Sequence, residues 1–195
     1  MGLVMTGASM SLDGYMSGPG ETGFEHLFAW LGGGDVEVKT ADPNMTLRMT
    51  ETSAAHYRGM LEQTGAIIVG RKLFDSTQGW GGRHPIGCPV VVLTHEPPSD
   101  WAHEDFHFVT TGIADAIARA RELAGSKIVG LNGGEIARQA LEAGLLEEVW
   151  IDLVPVLLGG GQRLFPEVAG APVLLDQVAV TPDEGVTHLR YRIRN

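Results

Sequence analysis

The feature that most constrains this chain is an alternation: short β-branched runs are separated by segments whose apolar residues recur at helical spacing. Residues 66–69 read Ala-Ile-Ile-Val and residues 89–94 read Pro-Val-Val-Val-Leu-Thr. Uninterrupted apolar runs of this kind suit strands buried on both faces. Residues 3–8, 127–131 and 149–156 are further strand candidates. Helical spacing marks residues 113–123 (apolar at 113, 116, 117, 120 and 123) and 136–145 (136, 140, 141 and 145). Residues 50–63 and 24–31 are also expected to be helical, the latter ending at Gly32-Gly33-Gly34, with a short helix over 73–76. Residues 35–49 are mixed and polar and are expected to form a loop. Strands alternating with helices predict an α/β fold: a mainly parallel central sheet with helices on both faces. Residues 106–109 fit an edge strand. Residues 173–180 and 187–193 follow one another without a helix, which predicts an antiparallel C-terminal edge.

The bulk properties narrow the function classes. A length of 195 residues fits one domain over 1–195. With 14 Lys and Arg against 24 Asp and Glu, the net charge is −10. A general nucleic-acid or acidic-membrane binder is usually basic, so neither partner is expected. A small anionic ligand stays open, because it responds to the local field. The single cysteine, Cys88, forms no internal disulfide and fits a reducing compartment. No signal peptide is read at residues 1–5 and no apolar run reaches membrane-span length. The expected location is the cytoplasm.

Four short motifs could carry chemistry. The first is Asn132-Gly133-Gly134-Glu135-Ile136, where a strand runs through glycines directly into a helix. Free N–H groups and the dipole at such a helix start favour an anion, typically phosphate. A ligand-free tight turn explains the glycines equally well. The second is Gly70-Arg71-Lys72, two cations just past a buried strand, at the sheet edge where open α/β folds bind ligands. Alone, it reads more simply as a solvated basic pair. The third, Thr94-His95, repeats that geometry after the next strand, or is an ordinary strand exit. The fourth, Leu157-Leu158-Gly159-Gly160-Gly161, could let backbone approach a flat ring, or is a flexible turn. His103 and His107 are four apart, a zinc spacing only on a helix. Phe106 and Phe108 alternate as in a strand, so no metal site is expected. No Gly-x-Ser-x-Gly elbow or Walker phosphate loop is present.

Taken in order, the motifs resemble the dihydrofolate-reductase-like superfamily, in the branch similar to the C-terminal reductase domain of the bifunctional riboflavin-biosynthesis deaminase/reductase. The resemblance rests on Ser11-Leu12-Asp13-Gly14-Tyr15, Gly70-Arg71, Thr94, Asn132-Gly133-Gly134, Gly144-Leu145-Leu146-Glu147-Glu148 and Pro155 to Gly161, ending near Leu164-Phe165. It spans nearly the whole chain. It implies the three-layer fold of that superfamily, a homodimer, and NADPH as reductant. The Ser9 to Met16 stretch, with Ser9, Asp13 and Gly14, would cover the nicotinamide. Gly70, Arg71, Lys72, Thr94 and His95 would line the adenosine 2′-phosphate end. Asn132, Gly133, Gly134, Glu135 and Ile136 would hold the pyrophosphate, and Leu158 and Gly159 would lie near the reactive end.

The chain departs from the folate-reducing type. Leu73 stands where that type has a Thr, and Leu27 aligns with its helix carboxylate, Glu25 lying two residues away. Asp13 is a possible substitute acid. No zinc-deaminase signature is present. The expected activity is NADPH-dependent reduction of a small heterocyclic or carbonyl substrate, similar to 5-amino-6-(5-phosphoribosylamino)uracil reductase. Two alternatives are a deazaflavin-dependent reductase and a non-catalytic nucleotide-binding domain. No catalytic residue is assigned.

Overall fold

A computed structural model describes residues 2–194. Its centre is an eight-stranded sheet. In chain order the strands and helices are β1 (Val4–Ser11), β2 (Tyr15–Ser17), α1 (Phe24–Leu27), β3 (Val36–Lys39), β4 (Thr46–Met49), α2 (Glu51–Gln63), β5 (Thr64–Gly70) and α3 (Arg71–Ser76). There follow β6 (Val90–Leu93), β7 (Phe106–Val109), α4 (Ile113–Ala124), β8 (Ile128–Leu131), α5 (Glu135–Glu142), β9 (Glu148–Val154), β10 (Gln162–Arg163), β11 (Leu175–Asp183) and β12 (Val186–Ile193).

The sheet order is β11-β12-β9-β1-β8-β5-β6-β7. The six strands from β9 to β7 are parallel, and β12 and β11 complete the other edge antiparallel. The two-residue period of a strand sends alternate side chains to opposite faces. On β5, Ala66 and Ile68 enter a core with Ile117 and Ala120 of α4 and Ile136 and Ala140 of α5. Ile67 and Val69 enter the opposite core with Phe74 of α3. The expected parallel sheet with an antiparallel C-terminal edge is therefore the fold.

Two local expectations need correction. Residues 35–49 are not a loop: β3 and β4 pair as an antiparallel hairpin. Val38 and Met49 are buried against Trp30 and Ala54, while Glu37, Lys39 and Arg48 keep the segment polar on average. Residues 24–31 are not one helix. The four-residue α1 is followed by a 3₁₀ turn over Ala29–Leu31, which drives Trp30 into the core. The chain enters α1 at Gly23 with φ 81° and no side-chain cap, so little holds a longer helix there.

Candidate functional site

Parallel strands collect their C-terminal ends along one edge of the sheet. Here β1, β8, β5 and β6 deliver Ser11, Asn132, Gly70-Arg71 and Thr94 to that edge in spatial order. A cavity of about 230 Å³ lies on the α2 side of the sheet, with Ser9, Asn132 and Trp150 among its walls.

At the cavity wall stands a titratable cluster drawn from three elements: His56 and Asp152 line the cavity and His188 is buried behind them. Asp152 on β9 places Oδ1 2.6 Å from His188 Nδ1 of β12 and 3.2 Å from His56 Nε2 of α2. The two imidazoles stack at 4.0 Å, 18° from parallel. His188 is 3% exposed, and the Trp30 edge meets its ring at 5.2 Å. Burial pushes the Asp152 carboxyl up, but hydrogen bonds from His188 and His56 outweigh it and hold it below the usual carboxylate range. Tyr57, also on the wall, is pushed up by burial and by the Asp152 charge. His84 is pushed down to about 4 by burial, so it faces the cavity as neutral imidazole.

The three side chains offer ligand atoms within 4.8 Å of one another. Their geometry still argues against a shared metal ion. An ion bound to an imidazole nitrogen sits about 2.0–2.1 Å from it, close to the ring plane. Two stacked, nearly parallel rings share no such point, so the cluster is built as a hydrogen-bonded unit.

Asp13 ties two loops together. It accepts from Ser11 Oγ at 2.6 Å, from the Leu158 N–H at 3.1 Å and from the Gly159 N–H at 2.7 Å. The Ser11 bond and these amide bonds hold its carboxyl down, at about 2. Asp13 thus closes the Leu157–Gly161 loop over the end of β1.

The profile of the RibD C-terminal domain family matches residues 3–189. The chain belongs to that family. Among solved structures it is similar to a putative riboflavin biosynthesis protein from Shewanella sp. PV-4, with TM-score 0.73, 22% identity and 99% of both chains covered. It is similar to Enterococcus faecalis dihydrofolate reductase complexed with NADP(H), with TM-score 0.61, 16% identity and 99% and 97% covered. A Thermotoga maritima diaminohydroxyphosphoribosylaminopyrimidine deaminase/5-amino-6-(5-phosphoribosylamino)uracil reductase matches at TM-score 0.63 and 12% identity. That match covers 99% of this chain and 57% of the longer one. The uncharacterized protein YwjB of Bacillus subtilis is 23% identical over 112 residues, which span 57% of this chain and 64% of that relative. The fold is dihydrofolate-reductase-like.

Within this RibD-type fold, the residues expected from the sequence fall into three groups. Ser9 and Asn132 line the cavity. Asp13, Gly14, Leu158 and Gly159 form the loop pair at the end of β1. Gly70 ends β5, Arg71 opens α3, and Thr94 and His95 follow β6. Arg71 is fixed by Asp75, with Nε–Oδ1 2.7 Å, and by the Glu96 carbonyl at 2.7 Å. Thr94 donates to the same carbonyl, and Lys72 pairs with Glu21. The glycine turn serves the protein's own packing as well: a Cβ on Gly133 would lie 2.3 Å from Met16 Sδ, and the Gly134 N–H donates to the Leu164 carbonyl. Ile136 is a core residue. Glu135 is neutralised in place by Arg138, which, with Gln139, holds its carboxyl down at about 2. His107 lies on β7 and His103 packs on Trp101, in line with the strand reading of that segment.

His56, Asp152 and His188 were not among the sequence candidates. One signal was available: Asp152 interrupts the apolar run Val149-Trp150-Ile151-Asp152-Leu153-Val154. A carboxylate in such a strand must find partners.

Proposed function

We propose that this chain is an NADPH-dependent reductase of a small heterocyclic or carbonyl substrate, with chemistry similar to 5-amino-6-(5-phosphoribosylamino)uracil reduction. The observation that carries the reading is the placement of a half-buried, titratable cluster at the wall of a cavity beneath the strand-end edge of the sheet. Bound there, the cofactor would supply a hydride. The chain would supply the rest: the Asn132–Ile136 turn and the start of α5 as an anion site, Arg71, Lys72, Thr94 and His95 for the 2′-phosphate, and the Asp13 loop pair to hold water out. Dihydrofolate is not the substrate proposed. Leu27 is fully buried, and the Glu25 side chain is 71% exposed, so no α1 carboxylate enters the cavity. The His56–Asp152–His188 cluster weighs against a non-catalytic nucleotide-binding domain.

The 2′-phosphate assignment has a direct test. Arg71 must exchange its exposed pair with Asp75, worth about 0–1 kcal/mol, for a charged phosphate contact worth about 1.5–3 kcal/mol. The exchange is favourable. The net gain is about 0.5–3 kcal/mol, so fluorescence titration should show NADPH binding from about twofold to about a hundredfold tighter than NADH, with the preference reduced in Arg71→Ala. Equal affinities for the two nucleotides would refute the assignment.

A further inference from the structure

Hydrogen-bond counting locates the protons of the cavity cluster. Asp183, at the end of β11, accepts at Oδ2 from the Ser53 hydroxyl, the Thr50 hydroxyl and the Ser53 N–H. Burial pushes its carboxyl up, but the bonds from Ser53 and Thr50 outweigh that and hold it low, so Asp183 is an acceptor. A serine hydroxyl has one proton to give. Ser53 gives it to Asp183 and can only accept from His188 Nε2, 3.0 Å away. On its other side His188 Nδ1 meets Asp152 Oδ1 at 2.6 Å, and Asp152 is likewise an acceptor. Both His188 nitrogens must donate.

We propose that His188 carries a proton on each ring nitrogen, and that Asp183, Ser53, His188, Asp152 and His56 form a continuous hydrogen-bonded path from the β11–β12 turn to the cavity wall that orients His56 as a proton donor. The path ends at His56, whose Nε2 shares Asp152 Oδ1 with His188 and whose ring lines the cavity. Its use rests on the reductase reading. In a reduction, the carbon of a C=O or C=N bond would gain a hydride from the bound nicotinamide, which would be oxidised. The π pair would move to the heteroatom, and that atom would take the Nδ1 proton of His56 as the N–H bond breaks. Throughout, His56 Nε2–H stays on Asp152 Oδ1, and Nδ1 would regain its proton from water in the cavity. Asp152, His188 and Ser53 are positioning residues in this scheme.

The test uses the full chain without cofactor, carrying ring-15N histidine. NMR should show protons on both His188 nitrogens, with the Nδ1 proton far downfield because of its short contact to Asp152. Ser53→Ala should speed water exchange of the Nε2 proton, and Ser53→Thr should restore the slow rate. Diethylpyrocarbonate followed by mass spectrometry should modify His56, and NADP⁺ should protect it. A single proton on His188, or a His56 that the reagent never reaches, would overturn the path. Intact NMR signals with a reactive His56 that NADP⁺ fails to protect would leave the path standing and overturn the cofactor reading instead.

Discussion

Asp13 shows how one residue can set the shape of a site without entering its chemistry. Its carboxylate collects one hydroxyl and two amide donors from two loops. Only the ionised form can accept all three bonds at full strength, so the sign of the pH effect is fixed. The native carboxyl sits at about 2 against an ordinary 3.8. Its stabilising contribution is complete above the ordinary value and is lost as pH falls from about 4 towards 2. Asp13→Asn puts an amide NH₂ or a weaker acceptor against the Gly159 N–H. Thermal unfolding should place this variant below the wild type at pH 6, with the gap narrowing between pH 4 and pH 2. A gap that stays constant across that range would contradict the assignment. The low value also removes Asp13 as a substitute proton donor: at working pH it has no proton to give.

At the scale of elements, close approach between β2 and β10 depends on Gly161. Its φ is +119°, and a Cβ there would lie 1.8 Å from the Ser17 carbonyl oxygen. Gly170 also has positive φ (+79°) but meets nothing within 4 Å. Backbone strain alone costs of order 1–3 kcal/mol. Gly161→Ala should therefore destabilise the chain beyond that range, and Gly170→Ala should stay inside it, by chemical denaturation. Equal losses would mean that the close approach is unimportant. The same scale separates what was legible in the sequence from what was not. The strands β5, β6, β8 and β9 were legible as apolar-rich runs, α4 and α5 by their helical periodicity and α2 by its 13-residue length. The β3–β4 hairpin was hidden because its four-residue strands carry Glu37, Lys39 and Arg48 on the outward face. The site was half legible. The edge residues follow strand ends and so can be read in order, whereas His56, Asp152 and His188 come from a helix, a parallel strand and an antiparallel strand. Each of these three has an ordinary local reading, and only tertiary packing joins them.

The whole molecule leaves one edge uncovered. All but the last residue of β11 are exposed, and Leu174 (57%), Leu175 (42%), Val178 (41%) and Val180 (45%) present apolar surface there. An apolar groove of about 210 Å³ adjoins it, with Phe165, Val173, Leu175 and Ile193 among its walls. A long apolar edge strand is an open template for association. A two-fold homodimer across this edge is the expected arrangement, two-fold pairing being the commonest closed symmetry. Light scattering at micromolar concentration should give twice the 20.8 kDa chain mass, and Val178→Lys with Val180→Lys should shift it towards the monomer. A monomeric wild type would exclude this interface. Among the described residues no helix is long and apolar enough to cross a membrane. What gives the fold its function, on this account, is the meeting of a phosphate-type edge with a proton-bearing cavity. The measurement that bears on this most directly is a crystal structure of the chain with NADP⁺. It should show the phosphates at Arg71 and the Asn132–Ile136 turn, and the nicotinamide inside the cavity facing His56. A nucleotide bound elsewhere, or a nicotinamide turned away from the His56–Asp152 pair, would contradict the account.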